Sequence, residues 1–415
     1  MGWGARLRLV ADFHQTGAIT TLHRLGPRDL GRLESELLEY SGVRPIALVL
    51  PCLYAELKDI ALKGIIDALR GVRYLSQVVV SVDGTEDRSE FEEMRAAFDG
   101  VRTLHGEPAT LVWNGGQALR GLYRRLDAEG LHSGDGKGRS AWMAYGYVLA
   151  CDRARVVAIH DCDIRDYERE LLARLCFPIA NPNLNYEFVK GYYGRVDDRL
   201  YGRVTRLFMT PLLRAMKSVL GPNALLDFLD SFRYPLAGEC AMTTDLARIT
   251  RIPGDWGLEV GMLAEVFRNC SQKRICQVEL VDNYDHKHRE LSEGDASRGL
   301  HRMVVDIAAS LIRNLASYGV QFDAGFLNTL IVAYVRMAQD AVARYCDDAA
   351  LNGLDFDRHE EELSVETFSR ALRNAGLSFV GDPMGAPQIP NWNRVTSALP
   401  DFLLELREAV DADNR

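Results

Sequence analysis

Two aspartates separated by one residue form the most specific chemical pattern in the sequence. They are Asp161 and Asp163 in the segment HDCDI, His160–Ile164. If the backbone stays extended, side chains at i and i+2 point the same way, so both carboxylates would face one ligand. Carboxylate oxygens suit a hard divalent cation, and a nucleotide diphosphate supplies further oxygen ligands. The alternative is a turn in which one aspartate caps the next helix, but the preceding apolar run favours the metal site.

A glycine-rich segment with one lysine comes shortly before this pair. The segment is GDGKGRSAW, Gly134–Trp142, and its lysine is Lys137. Glycines let a loop approach a ligand closely, and a lysine can contact a phosphate or a uracil oxygen. The segment lacks the GxxxxGK[ST] frame of a Walker A motif. Taken alone, it fits an ordinary flexible turn better than a ligand site.

Three arginines have the spacing of one helical face. Arg199, Arg203 and Arg206 lie at i, i+4 and i+7, near the start of a helix predicted over Tyr201–Val219. A helix N-terminus that carries arginines suits a phosphate or a carboxylate. For three arginines alone, a solvated basic face is the commoner situation.

Two histidines alternate in the segment DHKHRE, Asp285–Glu290. His286 and His288 would share one face of an extended segment. Histidine is a common metal ligand, so one of the two could complete a site with Asp163. For an isolated HxH pair, exposed loop histidines are about equally plausible.

Short aliphatic runs predict the strands that position these residues. The runs are RPIALVLP (Arg44–Pro51), LSQVVVSVD (Leu75–Asp83) and RVVAIHD (Arg155–Asp161), with a helix at Ile60–Leu69 and a further strand at Phe188–Tyr193. Strands that alternate with helices imply an α/β fold with a mostly parallel sheet. Ligands bind beyond the carboxyl ends of such strands, where the first three runs place Pro51, Asp83 and Asp161.

The pattern changes after about residue 294. Apolar residues follow helical spacing from Leu300 to Leu315, and Phe326–Val342 is apolar on more than one face. We therefore predict a helical C-terminal region, residues 295–415, after a catalytic domain at 44–294 and an N-terminal segment at 1–43. The apolar helix is expected to form a homodimer interface or to clamp the α/β domain. Gly381–Pro390 has the composition of a loop.

The composition is that of a globular protein without a membrane span. Of 415 residues, 47% are hydrophobic and 26% are charged, enough for a sizeable core. The net charge of −9 argues against wholesale nucleic-acid binding, and no apolar run reaches the ~18 residues of a transmembrane helix. The eight cysteines form no CxxC pair. They predict reduced thiols and a cytoplasmic location.

Several segments occur together, in order, as in one family of enzymes. They are PCLYAEL (Pro51–Leu57), SVDGTED (Ser81–Asp87), GDGKGRSAW, HDCDI, FVKGYYGR (Phe188–Arg195), YGRVTRLFMTPLL (Tyr201–Leu213), PLAGE (Pro235–Glu239), WGLEVGML (Trp256–Leu263) and DHKHR. Over Pro45–Glu290 the chain resembles the retaining glucosyl-3-phosphoglycerate synthases and their mannosyl-3-phosphoglycerate relatives. The resemblance implies the GT-A glycosyltransferase fold.

The resemblance also implies a role for each matching residue. The nucleotide-sugar site would contain Pro51, Leu53, Glu56, Asp83, Lys137, Asp161 and Cys162. Asp163 and His286 would hold Mg²⁺ or Mn²⁺ with the diphosphate. Gly202, Arg203, Thr205 and His288 would bind the phosphoglycerate acceptor. Glu259 would lie near the transferred sugar, and Glu259, Asp163 and Arg203 form the implied catalytic set.

This chain departs from the family pattern at three places. It has PCLYAE where the family often has PALxEE, D-C-D where the family has D-S-D, and His288 where an asparagine is common. The first departure affects the role of Glu56, and the third affects the acceptor contact of His288. The second leaves both aspartates intact.

The implied reaction moves glucose from a nucleotide diphosphate, UDP or GDP, to the 2-hydroxyl of 3-phosphoglycerate with retention. The product would belong to a compatible-solute pathway. Alternatives are a mannosyl-3-phosphoglycerate synthase that uses GDP-mannose and a glucosylglycerate synthase that acts on free glycerate. A sugar-nucleotidyltransferase would carry a longer glycine-rich loop after the first strand, where PCLYAELKD stands. The acids, Arg203 and His286 argue against a non-catalytic binding protein.

Overall fold

The predicted strands belong to one mostly parallel sheet. The structure is a computed structural model that describes residues 15, 17–26, 29–131, 134, 136–281, 299–385 and 388–415. Its strands are β1 (Thr20–Leu22), β2 (Ile46–Leu53), β3 (Leu75–Asp83), β4 (Thr110–Trp113), β5 (Val156–Ile159), β6 (Phe188–Tyr192), β7 (Cys240–Thr243) and β8 (Ile275–Glu279). Across this described part they are ordered β1-β8-β6-β7-β5-β2-β3-β4.

Every strand pair is parallel except the two that involve β7. This strand pairs antiparallel with β5 on one side and with β6 on the other. The central pair β2 and β3 keeps a parallel register up to Leu53 and Asp83. The carboxyl ends of β2, β3 and β5 therefore lie at one edge of the sheet, as the aliphatic runs predict.

Helices cover both faces of the sheet and form the C-terminal region. They are α1 (Leu30–Tyr40), α2 (Ile60–Leu69), α3 (Arg88–Ala97), α4 (Gln117–Ala128), α5 (Lys137–Cys151), α6 (Arg169–Ala180), α7 (Thr210–Leu220), α8 (Ala224–Asp230), α9 (Thr244–Ile249), α10 (Leu258–Asn269), α11 (Gly299–Ser317), α12 (Ala324–Asn352), α13 (Arg358–Gly381), α14 (Trp392–Ala398) and α15 (Phe402–Asp413). Successive residues of β2 point to opposite faces, so Leu48 and Val49 belong to different cores.

The long C-terminal helix differs from the prediction for Phe326–Val342. One face of α12 is buried against α7 and α13, through residues such as Leu330, Tyr334 and Ala338. The opposite side reaches solvent, where Val332 is 72% exposed. The helix is therefore buried within its own chain along one face rather than on several sides.

Both ends of the described chain pack onto the α/β domain. Strand β1 extends the sheet beside β8. Near the C-terminus, Trp392 stacks on Trp142 of α5 with ring centroids 4.1 Å apart. The side chain of Asn414 accepts from the Leu111 amide and donates to its carbonyl, at 3.0 and 2.7 Å. Among the described residues, no helix combines the length and apolar character that crossing a membrane requires.

Candidate active site

The carboxyl edge of the sheet opens into a cavity of about 890 Å³ between the α/β domain and the start of α11. It collects all the predicted site residues that the described ranges include. These are Pro51, Leu53, Glu56, Asp83, Lys137, Asp161, Cys162, Asp163, Gly202, Arg203, Thr205 and Glu259. Residues distant in sequence converge because parallel strands deliver their loops to one edge.

Two predicted residues lie outside the described part of the chain. His286 and His288 fall within residues 282–298, between β8 and α11. The proposed pairing of His286 with Asp163, and the acceptor contact of His288, remain predictions.

Lys137 joins two acids on the floor of the cavity. Its Nζ lies 2.6 Å from Asp161 Oδ1 and 3.2 Å from Glu259 Oε1. Burial alone would lower the pKa of Lys137, but Asp161 and Glu259 raise it well above its usual range. The amine therefore stays protonated and brings a fixed positive charge beside the aspartate pair.

The glycine-rich segment before Lys137 is tightly packed where it enters the helix. Lys137 is the first residue of α5, and the preceding Gly136 has φ +112°, a conformation that favours glycine. At Gly138, a Cβ would come within 1.9 Å of the Pro253 carbonyl oxygen. The expectation of a turn is therefore wrong for Lys137–Trp142, because these residues form the start of α5.

A glycine from the PLAGE segment makes room for Asp161. A Cβ at Gly238 would lie 2.4 Å from Asp161 Oδ2. Any side chain there would push the carboxylate away from its position beside Lys137. Gly238 therefore contributes to the site by having no side chain.

The acids around Asp163 suit a divalent cation. Burial raises the pKa of Glu56 to about 7, although the Leu53 amide opposes the shift, and the charges of Asp163 and Asp161 raise it further. Burial and the two aspartate charges thus disfavour ionisation of Glu56, and a hard cation with oxygen ligands would relieve this. The residues present fit Mg²⁺ or Mn²⁺. The sequence pattern predicts that Asp163 is the carboxylate that would bind this ion.

Cys162 contributes differently from the two aspartates beside it. It is 3% exposed, and its sulfur belongs to a cluster with Cys52 and Glu56 whose ligand atoms lie within 4.8 Å of one another. Thiols are soft donors and match Mg²⁺ poorly. The Cys162 side chain belongs to the core beneath the cavity, so any nucleotide contact would come from its exposed edge or its backbone.

The arginines on the opposite wall do not form the predicted helical stripe. Val204–Met209 is a π-helical turn that leads into α7, so Arg199 lies before the helix, where it pairs with Asp198. The Arg206 guanidinium donates to the carbonyls of Leu200 and Tyr201, both at 2.9 Å. The stripe prediction is wrong for Arg199, because the chain turns just before the helix, whereas Arg203 and Arg206 lie at the helix start and both donate to Glu361.

Gly202 provides that turn. Its φ of +74° lies in the left-handed region, where a side chain would be strained. Arg203 follows directly and donates to the carboxylates of Glu360 and Glu361 on α13, while Thr205 lies in the π-helical turn. Such π-helical turns are frequent at functional sites.

The cavity also has a wall that the sequence patterns did not assign to the site. It consists of Asp255 and Trp256 before α10 and of Leu300, Met303 and Asp306 on α11. The apolar spacing of α11 predicted that Leu300 and Met303 would be buried, without indicating that a cavity faces them. Burial, followed by the charge of Asp255, raises the pKa of Asp306 to about 6.

A mostly parallel sheet, paired aspartates after one strand and a lysine beside them are the arrangement expected of the GT-A fold. Solved structures show the same fold. The Mycobacterium tuberculosis glucosyl-3-phosphoglycerate synthase in complex with Mg²⁺ and UDP has a TM-score of 0.51 at 23% identity, covering 72% of this chain and 87% of that one. The Rubrobacter xylanophilus mannosyl-3-phosphoglycerate synthase has a TM-score of 0.52 at 22% identity, covering 74% and 83%.

Sequence relatives identify the family. The glucosyl-3-phosphoglycerate synthase of Persephonella marina is 45% identical over 406 residues, covering 98% of this chain and 99% of the relative. That of Methanococcoides burtonii is 40% identical over 408 residues, covering 97% and 98%. No family model matches the chain. The chain belongs to the glucosyl-3-phosphoglycerate synthases, and the likeness extends well beyond Pro45–Glu290 to both ends.

Proposed function

We propose that this enzyme transfers glucose from UDP-glucose to the 2-hydroxyl of 3-phosphoglycerate with retention of the α configuration. The observation that carries the proposal is a single cavity with an acidic, lysine-containing floor at the strand ends and Arg203 on the opposite wall. The M. tuberculosis enzyme of similar fold has been solved with Mn²⁺, UDP-glucose and phosphoglyceric acid together. The product would feed a compatible-solute pathway, in the cytoplasm.

The nucleotide would occupy the strand-end side of the cavity. Pro51 and Leu53 lie at the carboxyl end of β2, Glu56 follows this strand, and Asp83 ends β3. These residues border the part of the cavity where a nucleoside would lie. Asp163, with His286, would hold Mg²⁺ or Mn²⁺, which when bound supplies positive charge against the diphosphate leaving group. Lys137 adds a permanent positive charge near the same position.

The acceptor would bind on the wall formed by Gly202, Arg203 and Thr205. The Arg203 guanidinium offers a planar set of donors that matches a carboxylate or a phosphate, and 3-phosphoglycerate carries both. Holding the acceptor on one wall and the donor on the other supplies proximity for the transfer.

Glu259 is suited to orienting the sugar rather than to attacking it. Its carboxylate accepts from protonated Lys137 at 3.2 Å and lies in the first turn of α10, where the helix dipole favours negative charge. We therefore assign retention to front-face attack. The acceptor oxygen bonds to the anomeric carbon as the bond to the diphosphate oxygen breaks, and the hydroxyl proton passes to the departing diphosphate.

The proposal is tested by an activity matrix of donors and acceptors. UDP-glucose, GDP-glucose and GDP-mannose are each combined with 3-phosphoglycerate and with free glycerate, and released nucleotide and product are measured. We expect turnover with UDP-glucose and 3-phosphoglycerate, and an α-glycoside by proton NMR. Preference for GDP-mannose, dependence on free glycerate, or a β-linked product would each refute the corresponding part of the proposal.

A further inference from the structure

Two consecutive glutamates of α13 contact the arginine that we assign to the acceptor. Glu361 Oε1 accepts from Arg203 Nε at 2.7 Å. Glu360 accepts from the terminal nitrogens of the same guanidinium, at 2.8 Å through Oε2 and 3.4 Å through Oε1. The C-terminal helical region therefore reaches into the cavity wall and meets Arg203 on two different edges of its guanidinium.

Glu361 belongs to the buried side of this arrangement. Its side chain is 5% exposed, and its second oxygen accepts from Arg206 at 2.9 Å. Arg206 in turn holds the carbonyls of Leu200 and Tyr201, the residues just before Gly202. One carboxylate thus fixes Arg203 directly and supports the turn that carries it. A buried carboxylate between two guanidiniums is hard to replace, because removing it leaves charges without a counter-charge.

Glu360 belongs to the open side. Its side chain is 46% exposed, and both Glu360 and Arg203 line the cavity. It occupies the two terminal nitrogens of Arg203, which form the fork that a carboxylate or phosphate would bind. Half-exposed ion pairs contribute little net stability, so an incoming anion can exchange with this carboxylate.

We propose that Glu361 is a positioning residue that aims Arg203 at the acceptor, and that Glu360 is an internal carboxylate which the acceptor anion displaces. The inference rests on the proposed function, because it requires Arg203 to bind the acceptor. It gives the C-terminal helical region a role in acceptor affinity. The two neighbouring glutamates must then act in opposite directions.

Steady-state kinetics with UDP-glucose and 3-phosphoglycerate test both directions. Glu360→Gln should lower the acceptor KM by about two- to fivefold, because the competing charge is gone. Glu361→Gln should raise the acceptor KM about tenfold or more, because Arg203 loses the partner that orients it. Neither substitution should change the donor KM more than about twofold, a split that general damage to the fold would not produce.

Glu366→Gln is the matched control, because Glu366 is exposed on the same helix and its substitution removes the same charge. It should leave the acceptor KM unchanged. If it lowers the KM as much as Glu360→Gln does, a diffuse charge effect replaces displacement and the proposal fails. An acceptor KM that is unchanged or raised in Glu360→Gln would also overturn it.

Glu361→Asp covers the case in which Glu361→Gln does not fold. It keeps the charge, so its acceptor KM should lie between that of the unsubstituted enzyme and that of a chain without the carboxylate. An unchanged acceptor KM in Glu361→Asp, or in Glu361→Gln if that variant folds, would refute the positioning role.

Arg203→Ala distinguishes the proposed acceptor site from the roles proposed for the two glutamates. If it leaves the acceptor KM unchanged, the proposed acceptor site itself is wrong. If it raises the KM while the glutamate variants behave like the control, only the present inference is wrong.

Discussion

At the scale of single residues, the site is a balance of charges in a partly enclosed cavity. Lys137 is shared between Asp161 and Glu259, and Glu56 is held in a field that raises its pKa to about 7. Such departures arise where burial and neighbouring charges act together, which is typical of functional sites. The aspartate pattern predicted the location of the site. The ion pairs of Lys137 could not be predicted from local patterns, because Asp161 and Glu259 are distant from Lys137 in sequence.

Asp163 and His286 should prove essential for metal-dependent turnover. We expect Asp163→Ala to lower kcat by roughly a thousandfold, since a metal at a diphosphate contributes several kcal/mol, and His286→Ala to be severely impaired. Calorimetric binding of Mn²⁺ in the presence of UDP should weaken in parallel. Asp166→Ala, an exposed aspartate nearby, is the control. An experimental structure with His286 beyond ~8 Å of Asp163 would remove it from the metal site.

Asp306 should make stability depend on pH in a defined direction. Its pKa rises from 3.8 to about 6 in the folded chain, so the folded state binds more protons than the unfolded state between these values. The folded state therefore has its full stability from protonated Asp306 below about pH 4, and it loses this stability as the pH rises through 6. We therefore expect the free energy of unfolding of Asp306→Asn, relative to that of the unsubstituted chain, to rise by about 1–3 kcal/mol between pH 4.5 and pH 7.5.

Urea denaturation at the two pH values measures this gain. Arg302 attracts the ionised form of Asp306, so it limits the rise of the pKa and is already included in the value of about 6. Its loss in Asp306→Asn is therefore part of the expected change with pH and does not reverse the trend. A stability difference that is constant with pH, or that becomes less favourable at pH 7.5, would contradict the prediction.

At the scale of elements, local patterns predicted the sheet better than the entrance to α7. The bounds of α2 and β3 agree with the prediction to the residue, because each carries a full apolar period between clear end signals. Strands such as β4 and β7 are four residues long and carry too little pattern. The helix was predicted to start at Tyr201, whereas the π-helical turn starts at Val204. This turn depends on tertiary contacts, which local patterns do not predict.

One of those contacts compensates for a proline. Pro211 has no N–H to donate to the Leu207 carbonyl four residues earlier, and the buried Tyr334 hydroxyl of α12 donates to that oxygen at 2.9 Å. We expect Tyr334→Phe to lower the free energy of unfolding by about 1–3 kcal/mol, because a buried carbonyl loses its partner. Urea denaturation measures it, with Tyr318→Phe as an exposed control. Equal stability in both variants would exclude this role.

At the scale of the whole molecule, the C-terminal helices pack against the α/β domain. They provide the α11 wall of the cavity, the glutamates on Arg203 and the Trp392 stack on α5. These long-range contacts follow from no local pattern, although the amphipathic spacing did predict the helices themselves.

The remaining exposed apolar residues of α12 leave the homodimer prediction open to a direct measurement. Val332 and Leu351 are 72% and 85% exposed on this helix. We expect light scattering at micromolar concentration to give a mass near twice the 46.4 kDa of one chain. A mass near 46.4 kDa would leave the intramolecular clamp as the sole role of these helices.

The central claim is that one cavity holds the nucleotide sugar at the strand ends and the acidic acceptor at Arg203. Its most direct test is the kinetics of Arg203→Ala, with Arg214→Ala on the exposed side of α7 as the control. Loss of a charge-assisted contact predicts an acceptor KM about ten- to hundredfold higher, with the donor KM nearly unchanged and the control normal. An Arg203→Ala enzyme whose KM for 3-phosphoglycerate is unchanged would contradict the claim.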